Sequence, residues 1–359
     1  MRGLSLRGSM KINYPTRKLP MRPTFLTKMS SMTQNKRYPH VLLLLLLLLT
    51  LNTQLKAVNY YSYQSGAWNN LTTWTTDPSG TTLIGSAVPA NNDAITILDG
   101  ITVSLTANVT TTGNTLNIRT TGVLNLSTFQ ITNVLSVLSG TGILRIGSSF
   151  FPGATTNTFV AQGGGTTEYY NFGGAGTNLP TQATYNNLII SNNTITNNTV
   201  RFNNPANPTT YTINGNLSLI SNSSGTVTLI WGNLATNIIN ASIGGNTTVG
   251  SSCAMRVGNF NAIHNISFNG DVTNNGIMRF TNQASPVANA YYTAAATATG
   301  AANVSFTGTN NNTLSCNGVS DFYVFILNKG IDQTYTLTVN STNVANFALY
   351  GPNNGASAD

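Results

Sequence analysis

The sequence predicts an all-β fold, a parallel β-solenoid closed at its N-terminal end by an aromatic cap. Three observations predict it. Strings such as AITILDGITVSL and YTINGNLSLI alternate apolar and polar residues, and clusters of Gly, Asn and Ser separate them. Short motifs recur at coil-like intervals, marked by Gly122 and Gly142 and then by Gly215, Gly245 and Gly270. Charged residues make up only 7% of the chain, so Asn and Thr carry most of its polar surface. Low charge combined with regular β-type strings excludes a solvated coil. No segment after Leu51 shows a helical period, and AYYTAAATATGAAN, 290–303, reads as loop or strand despite its alanines. A string of tandem β-sandwiches of about 100 residues each is the alternative architecture.

Residues 1–57 read as a leader with a signal peptide. The first forty hold Arg2, Arg7, Lys11, Arg17, Lys18, Arg22, Lys28, Lys36 and Arg37 and no acid. VLLLLLLLLTL, Val41 to Leu51, follows, and then NTQLKA with a small residue at Ala57. A basic segment, a short apolar run and a small residue form a secretory signal. The run falls short of the about 20 residues that span a bilayer. An uncleaved anchor is the alternative, and Met29 or Met32 is the expected true start. After Ala57 six basic residues face eight acids, a net charge of −2 (6 − 8), so the +8 of the whole chain belongs to the leader. Such a chain has no basic groove for nucleic acid, and no membrane span is expected in the mature part.

Residues 58–150 form an N-terminal β module with the first coils. They open with Tyr60, Tyr61, Tyr63, Trp68 and Trp74, around GAWNNLTTWTTDPSG. Terminal repeats of a solenoid cover its open edges, and bulky aromatics suit that task. The competing reading is a carbohydrate platform in which Trp68, Trp74 and Tyr61 stack on sugar faces. The unit G-[VI]-L-x-[LI] then occurs at Gly122–Leu126 and again at Gly142–Ile146.

Residues 151–359 read as degenerate solenoid repeats. Ile213-Asn214-Gly215-Asn216-Leu217 recurs as Ile243-Gly244-Gly245-Asn246-Thr247 and as Phe268-Asn269-Gly270-Asp271-Val272. A longer echo pairs Tyr169 with Phe306 and Tyr185 with Phe322 at one shared offset. Asn suits left-handed corners, and stacked Asn and Thr side chains form hydrogen-bonded ladders.

The segment YYSYQSGAWNNLTTWTTDPSG with VPANNDAITILDGITVSL resembles the N-terminal module of large secreted β-solenoid proteins of gliding Gram-negative bacteria. It is also similar to the G8 domain, through Trp68, Trp74, Pro89, Asn92, Asp93, Gly100 and Val103. GGGTTEYYNFGG and LPTQATYNNLIIS resemble a repeat of the same proteins, and the likeness spans about residues 60 to 340. The resemblance implies an adhesin-like or structural protein outside the cell. Such proteins usually end in a sorting domain for type nine secretion. GPNNGASAD is not one, so the expectation is a fragment of a longer gene or a different export route.

No catalytic set emerges. Glu168 is the sole glutamate. Asp93 and Asp99 lie about 20 Å apart in an extended strand, beyond the about 5–9.5 Å of a glycosidase pair, and Asp93 reads as a turn cap. His264 is the only imidazole after the leader, expected to face solvent or a satisfied polar pocket. Zinc spacing, a calcium loop and GxSxG are all missing. No metal and no cofactor are therefore assigned. Cys253 and Cys316 are two or three coils apart in a solenoid, too far for a bridge, and are expected as free thiols. The expected function is a secreted, non-catalytic surface or matrix protein with a polysaccharide or cell-surface ligand. The alternative is a carbohydrate-binding or carbohydrate-processing module.

Overall fold

The computed structural model describes residues 57–171, 174–179, 182–202, 209–232, 238–258, 262–281 and 300–349. The chain divides into Met1–Lys56 and Ala57–Asp359. All of the predicted leader except Ala57 lies outside the described residues, as do Phe172 and most of the alanine-rich stretch 290–303.

The described residues after Lys56 form a parallel β-solenoid. Its strands fall into four sheets, of six (I), eleven (II), seven (III) and six (IV) strands. Among the described residues every strand-to-strand pairing is parallel except one, at the N-terminal end. Parallel ladders between strands well separated in sequence exclude tandem antiparallel sandwiches.

Sheet II runs through the whole described fold. Its inward column is Val103, Leu124, Leu144, Thr167, Leu188, Leu217, Thr247, Val272 and Leu314, each paired in register with the next. All nine are buried. Alternation along each strand thus becomes, by stacking, one apolar seam parallel to the axis.

The coil changes shape part-way. Early coils have two strands, as in Ala94–Ile97 on sheet I followed by Thr102–Ser104 on sheet II. Here the equivalent positions Val103, Leu124 and Leu144 are 21 and 20 apart (124 − 103, 144 − 124). Sheet I ends with Ala154–Asn157. Later coils have three strands, as in Thr184–Tyr185 on sheet IV, Asn187–Asn192 on sheet II and Asn198–Phe202 on sheet III. Leu188, Leu217 and Thr247 are then 29 and 30 apart (217 − 188, 247 − 217). The longer period is one extra strand and its corner.

The sequence repeats are real coil equivalences. Ile213, Ile243 and Phe268 face one another on sheet IV. Their glycines stack: a Cβ on Gly245 would lie 2.6 Å from the Gly215 carbonyl carbon, and one on Gly270 would lie 2.5 Å from that of Gly245. The longer echo is not an equivalence. Tyr169 lies on sheet II and Phe306 on sheet IV, while Tyr185 lies on sheet IV and Phe322 on sheet III. The echo reflects only that buried rings fill the core beside corner residues.

At the N-terminal end, Asn59–Ser62 pairs in parallel with Ala94–Ile97 and antiparallel with Trp74–Thr75. This short reversed strand covers the edge of sheet I, where an open edge would recruit another chain. Asp93 ties the entry down. Its carboxylate accepts from Val58 N–H at 2.8 Å and Ala90 N–H at 2.7 Å. Both carboxylate oxygens are used by backbone, as a turn cap requires.

Candidate functional site

Trp68, Trp74 and Tyr61 come together at this capped end, but not as a platform. Trp74 is fully buried and Trp68 is 4% exposed. The rings meet edge to face, with centroids 5.1 Å apart at 75°. Trp74 Nε1 donates to the Trp68 carbonyl at 2.7 Å, and Trp68 N–H donates to Ser104 O at 2.8 Å, which extends the sheet II ladder. Neither indole has a face open to a sugar. The reason is positional: both residues fill the inside of the first coil. Trp68 also borders a recess of 200 Å³ with Pro89 and Thr106. Tyr61 is half-buried and alternates with buried Tyr60 and Ser62, so it lies on the outer side of its strand.

Glu168 and Asp321, both buried, are held against arginines. Glu168 accepts from Arg145 Nε at 2.8 Å and from Ser191 Oγ at 2.6 Å, and Arg145 lies over the Tyr170 ring. Asp321 sits 3.0 Å from Arg279. Burial raises the Asp321 carboxyl above its ordinary range, opposed by the Arg279 charge. These two acids and Asp93 are the buried carboxylates among the described residues, and the first two face arginines. Asp77 organises the turn after Trp74, where bonds from the Ser79 side chain and backbone hold its carboxyl well below the usual range.

His264 does not face solvent. It is buried on sheet IV, and its Nδ1 accepts from Ile239 N–H at 3.0 Å, a bond from one coil to the next. Burial pulls its pKa down to about 4. Its ring packs over Gly232, whose left-handed backbone (φ +68°) and missing Cβ make the room. No group of three His, Cys, Asp or Glu that could hold a metal occurs among the described residues. Cys253 on sheet III and Cys316 on sheet II are buried free thiols two coils apart.

Two features depend on contacts between coils. The first is a set of side-chain ladders. Asn187 Oδ1 accepts from Asn216 N–H, Asn216 Oδ1 from Asn246 N–H, and Asn246 Oδ1 from Asp271 N–H, at 2.8–3.0 Å. Asp271 then accepts from Thr313 N–H at 2.9 Å. On sheet IV the exposed amides of Asn240, Asn265 and Asn303 bond in sequence at 2.8 and 3.1 Å. The second is a cleft of about 490 Å³ where sheet I stops and sheet IV starts. Phe151, Ala154, Asn157, Val160, Gln182 and Thr184 line it. Asn157 Oδ1 is buried there and has no hydrogen-bond partner among the described residues. Sequence reading missed this cleft because Asn157 and Thr184 belong to different coils. The only signal was the change in repeat spacing, short between Gly122 and Gly142 and longer between Gly215 and Gly245.

No family model, no curated protein and no solved structure matches this chain. Among the described residues no helix is long and apolar enough to cross a membrane.

Proposed function

We propose that this chain is a secreted, non-catalytic structural protein of the cell surface or extracellular matrix, adhesin-like in the manner of the secreted β-solenoid proteins it resembles. The observation that carries the reading is sheet II. Eleven stacked strands give a face roughly 50 Å long at about 4.8 Å per strand. Asn and Thr ladders repeat alongside it, so the polar groups are already paired along the axis. Such a surface offers many weak, regularly spaced contacts, and affinity grows by multivalency rather than at one pocket. The signal-like leader supports export.

The test has two parts. Cells expressing the full chain are surface-labelled and protease-shaved, and the purified chain is incubated with polysaccharides while released sugar is measured. Surface exposure without sugar release is expected. Sugar release, or retention in the cytoplasm, overturns the proposal.

The cleft favours a second reading, a carbohydrate-binding module. The aromatic Phe151 beside neutral amides and a hydroxyl suits one or two neutral sugar units. Retention on neutral polysaccharides that is lost in Gln182→Ala would place it ahead of the first.

A further inference from the structure

The outer face of sheet IV carries two columns of neutral polar side chains. Its strands are Thr184–Tyr185, Thr210–Ile213, Asn240–Ile243, Ile263–Phe268, Ala301–Phe306 and Val324–Leu327, and none holds an Asp, Glu, Lys or Arg. One column runs Thr184, Thr212, Ser242, Ser267 and Ser305, each paired in register with the next. The other runs Thr210, Asn240, Asn265 and Asn303. Every member is exposed or half-buried, while the residues between them, such as Tyr211, Ala241, Ile266 and Val304, are buried. The columns therefore face outward. Successive members lie about 4.8 Å apart along the axis, and the columns lie about 7 Å apart across it, two residues at about 3.3 Å each.

The hydroxyls are uncommitted. Among the described residues Thr184, Thr212, Ser242 and Ser305 make no side-chain hydrogen bond, and Ser267 shares one with Thr307 at 3.1 Å. Asn265 and Asn303 each spend one amide N–H on the previous coil and keep a second. The array also begins at the cleft. Thr184 heads the hydroxyl column and lines the cleft. Gln182 lines it too, and lies two residues before Thr184 as Thr210 lies before Thr212, so it heads the amide column. Phe151 and the unpartnered Asn157 Oδ1 lie at the same end. At the far end the columns pass to Val324 and Ile326. Cleft and columns form one track, about 19 Å long from Thr184 to Ser305 at about 4.8 Å per strand.

We propose that this track binds a linear neutral polysaccharide, seated at one end in the cleft and laid along the two columns. Sugar hydroxyls both donate and accept, and Ser and Thr hydroxyls rotate to match either. The neutrality of the face decides the ligand class. Nucleic acids and acidic glycans are held through cations, and these strands have none. Protein interfaces favour aromatic residues, Met and Arg at their centre and are depleted in Ser. One sugar of an extended chain is comparable in length to one strand spacing, so a hydroxyl or amide meets each successive unit. Each contact is weak, and affinity comes from several on one chain. The inference rests on the reading that this protein works through many weak contacts on its outer surface, and adds the face and the ligand class.

The test is retention of the purified full chain on beads carrying a neutral β-glucan, a neutral mannan, a polyuronate or single-stranded DNA, at low and high salt. Retention is expected on a neutral glycan, unchanged by salt because no ion pair is involved, and not on the charged polymers. Ser242→Ala should weaken it about threefold, the worth of one neutral hydrogen bond, and Thr212→Val with Ser242→Ala and Ser305→Ala about tenfold. Denaturation midpoints should stay at the parent value, since these hydroxyls hold no contact of the fold. Ser218→Ala with Thr248→Val, which removes paired hydroxyls from the outer side of sheet II, should change nothing. A disaccharide of the retained glycan should compete far less well than the polymer. Absence from both neutral glycans, unchanged retention in the triple variant, equal loss in the sheet II control, or stronger retention on a charged polymer overturns the proposal. A disaccharide that competes as well as the polymer, with loss confined to Gln182→Ala, also overturns it and leaves the cleft alone as a sugar site. Surface labelling of the same variants keeps the broader reading separate: a triple variant that loses the glycan but stays on the surface removes this ligand and leaves the scaffold intact.

Discussion

Trp74 donates its indole N–H to the carbonyl of Trp68 at 2.7 Å while their rings pack edge to face. The hydrogen bond and the ring contact join the reversed strand to the segment that begins sheet II. Trp74→Ala removes both and leaves a cavity at the capped end. A loss of about 3–5 kcal/mol is expected for truncating a buried Trp, read as a fall in the denaturation midpoint. Trp74→Phe keeps most of the ring volume and orphans the Trp68 carbonyl, so it should cost less. Equal, near-zero effects would show that the pair does not close the fold.

Gly245 is a test of coil stacking. A Cβ there would lie 2.5 Å from Asn216 Oδ1 and 2.6 Å from the Gly215 carbonyl carbon. Asn216 is also part of the ladder, holding Asn246 N–H. Gly245→Ala must therefore push coils apart or break the ladder, and a loss of about 1–3 kcal/mol is expected from overpacking. Gly100 is the matched control. Its φ is +74°, but nothing lies within 4 Å of a Cβ, so Gly100→Ala should cost only the about 1–2 kcal/mol of a left-handed Ala. Urea melts of the two variants check the order, and Gly100→Ala proving the more damaging would contradict close stacking.

These glycines also show what was legible in the sequence. Gly215, Gly245 and Gly270 repeat at coil spacing because each sits against the backbone of the coil before it, so steric need left a periodic mark. The Asn ladder left one too, since Asn216 and Asn246 perform the same task. The extra strand was visible only as a longer interval, because the length of an interval does not say whether it forms a loop or a third face. Arg201, Arg256 and Arg279 are scattered at unequal intervals and share no motif. Only strand register brings them into one row. The two tryptophans were recognisable as a pair, whereas their burial inside the first coil depends on tertiary packing that the spacing does not reveal.

Cys253 and Cys316 report on the same core. Burial raises both thiols above their ordinary pKa, which lowers the thiolate fraction that reacts with alkylating agents. In the native protein at pH 8, labelling should be slow at both sites. In denaturant both should label completely. Each thiol also serves a separate coil, so Cys253→Ser and Cys316→Ser should each retain the slow phase of the other. Rapid native labelling of either site would mean that its coil opens far more readily than the buried column predicts.

His264 makes the fold sensitive to mild acid. Its folded pKa of about 4 lies below the model-compound value of 6.5, so between these values the unfolded chain binds the proton more readily. Its contribution is complete above pH 6.5 and is lost as pH falls toward 4. A shift of this size corresponds to at most about 3 kcal/mol. Protonation of Nδ1 also removes the acceptor for Ile239 N–H. Asp321 acts with the opposite sign: burial raises its pKa, so its share of stability fades as pH rises. A pH series on the parent alone would mix the two. The difference between parent and His264→Leu isolates the imidazole. The variant should be less stable at pH 7 by about 1–3 kcal/mol, because Ile239 N–H loses its buried partner. That gap should narrow steadily from pH 6.5 to pH 4. A gap constant across this range would mean that His264 takes up its proton in the folded chain as easily as in water, which its burial on sheet IV does not allow.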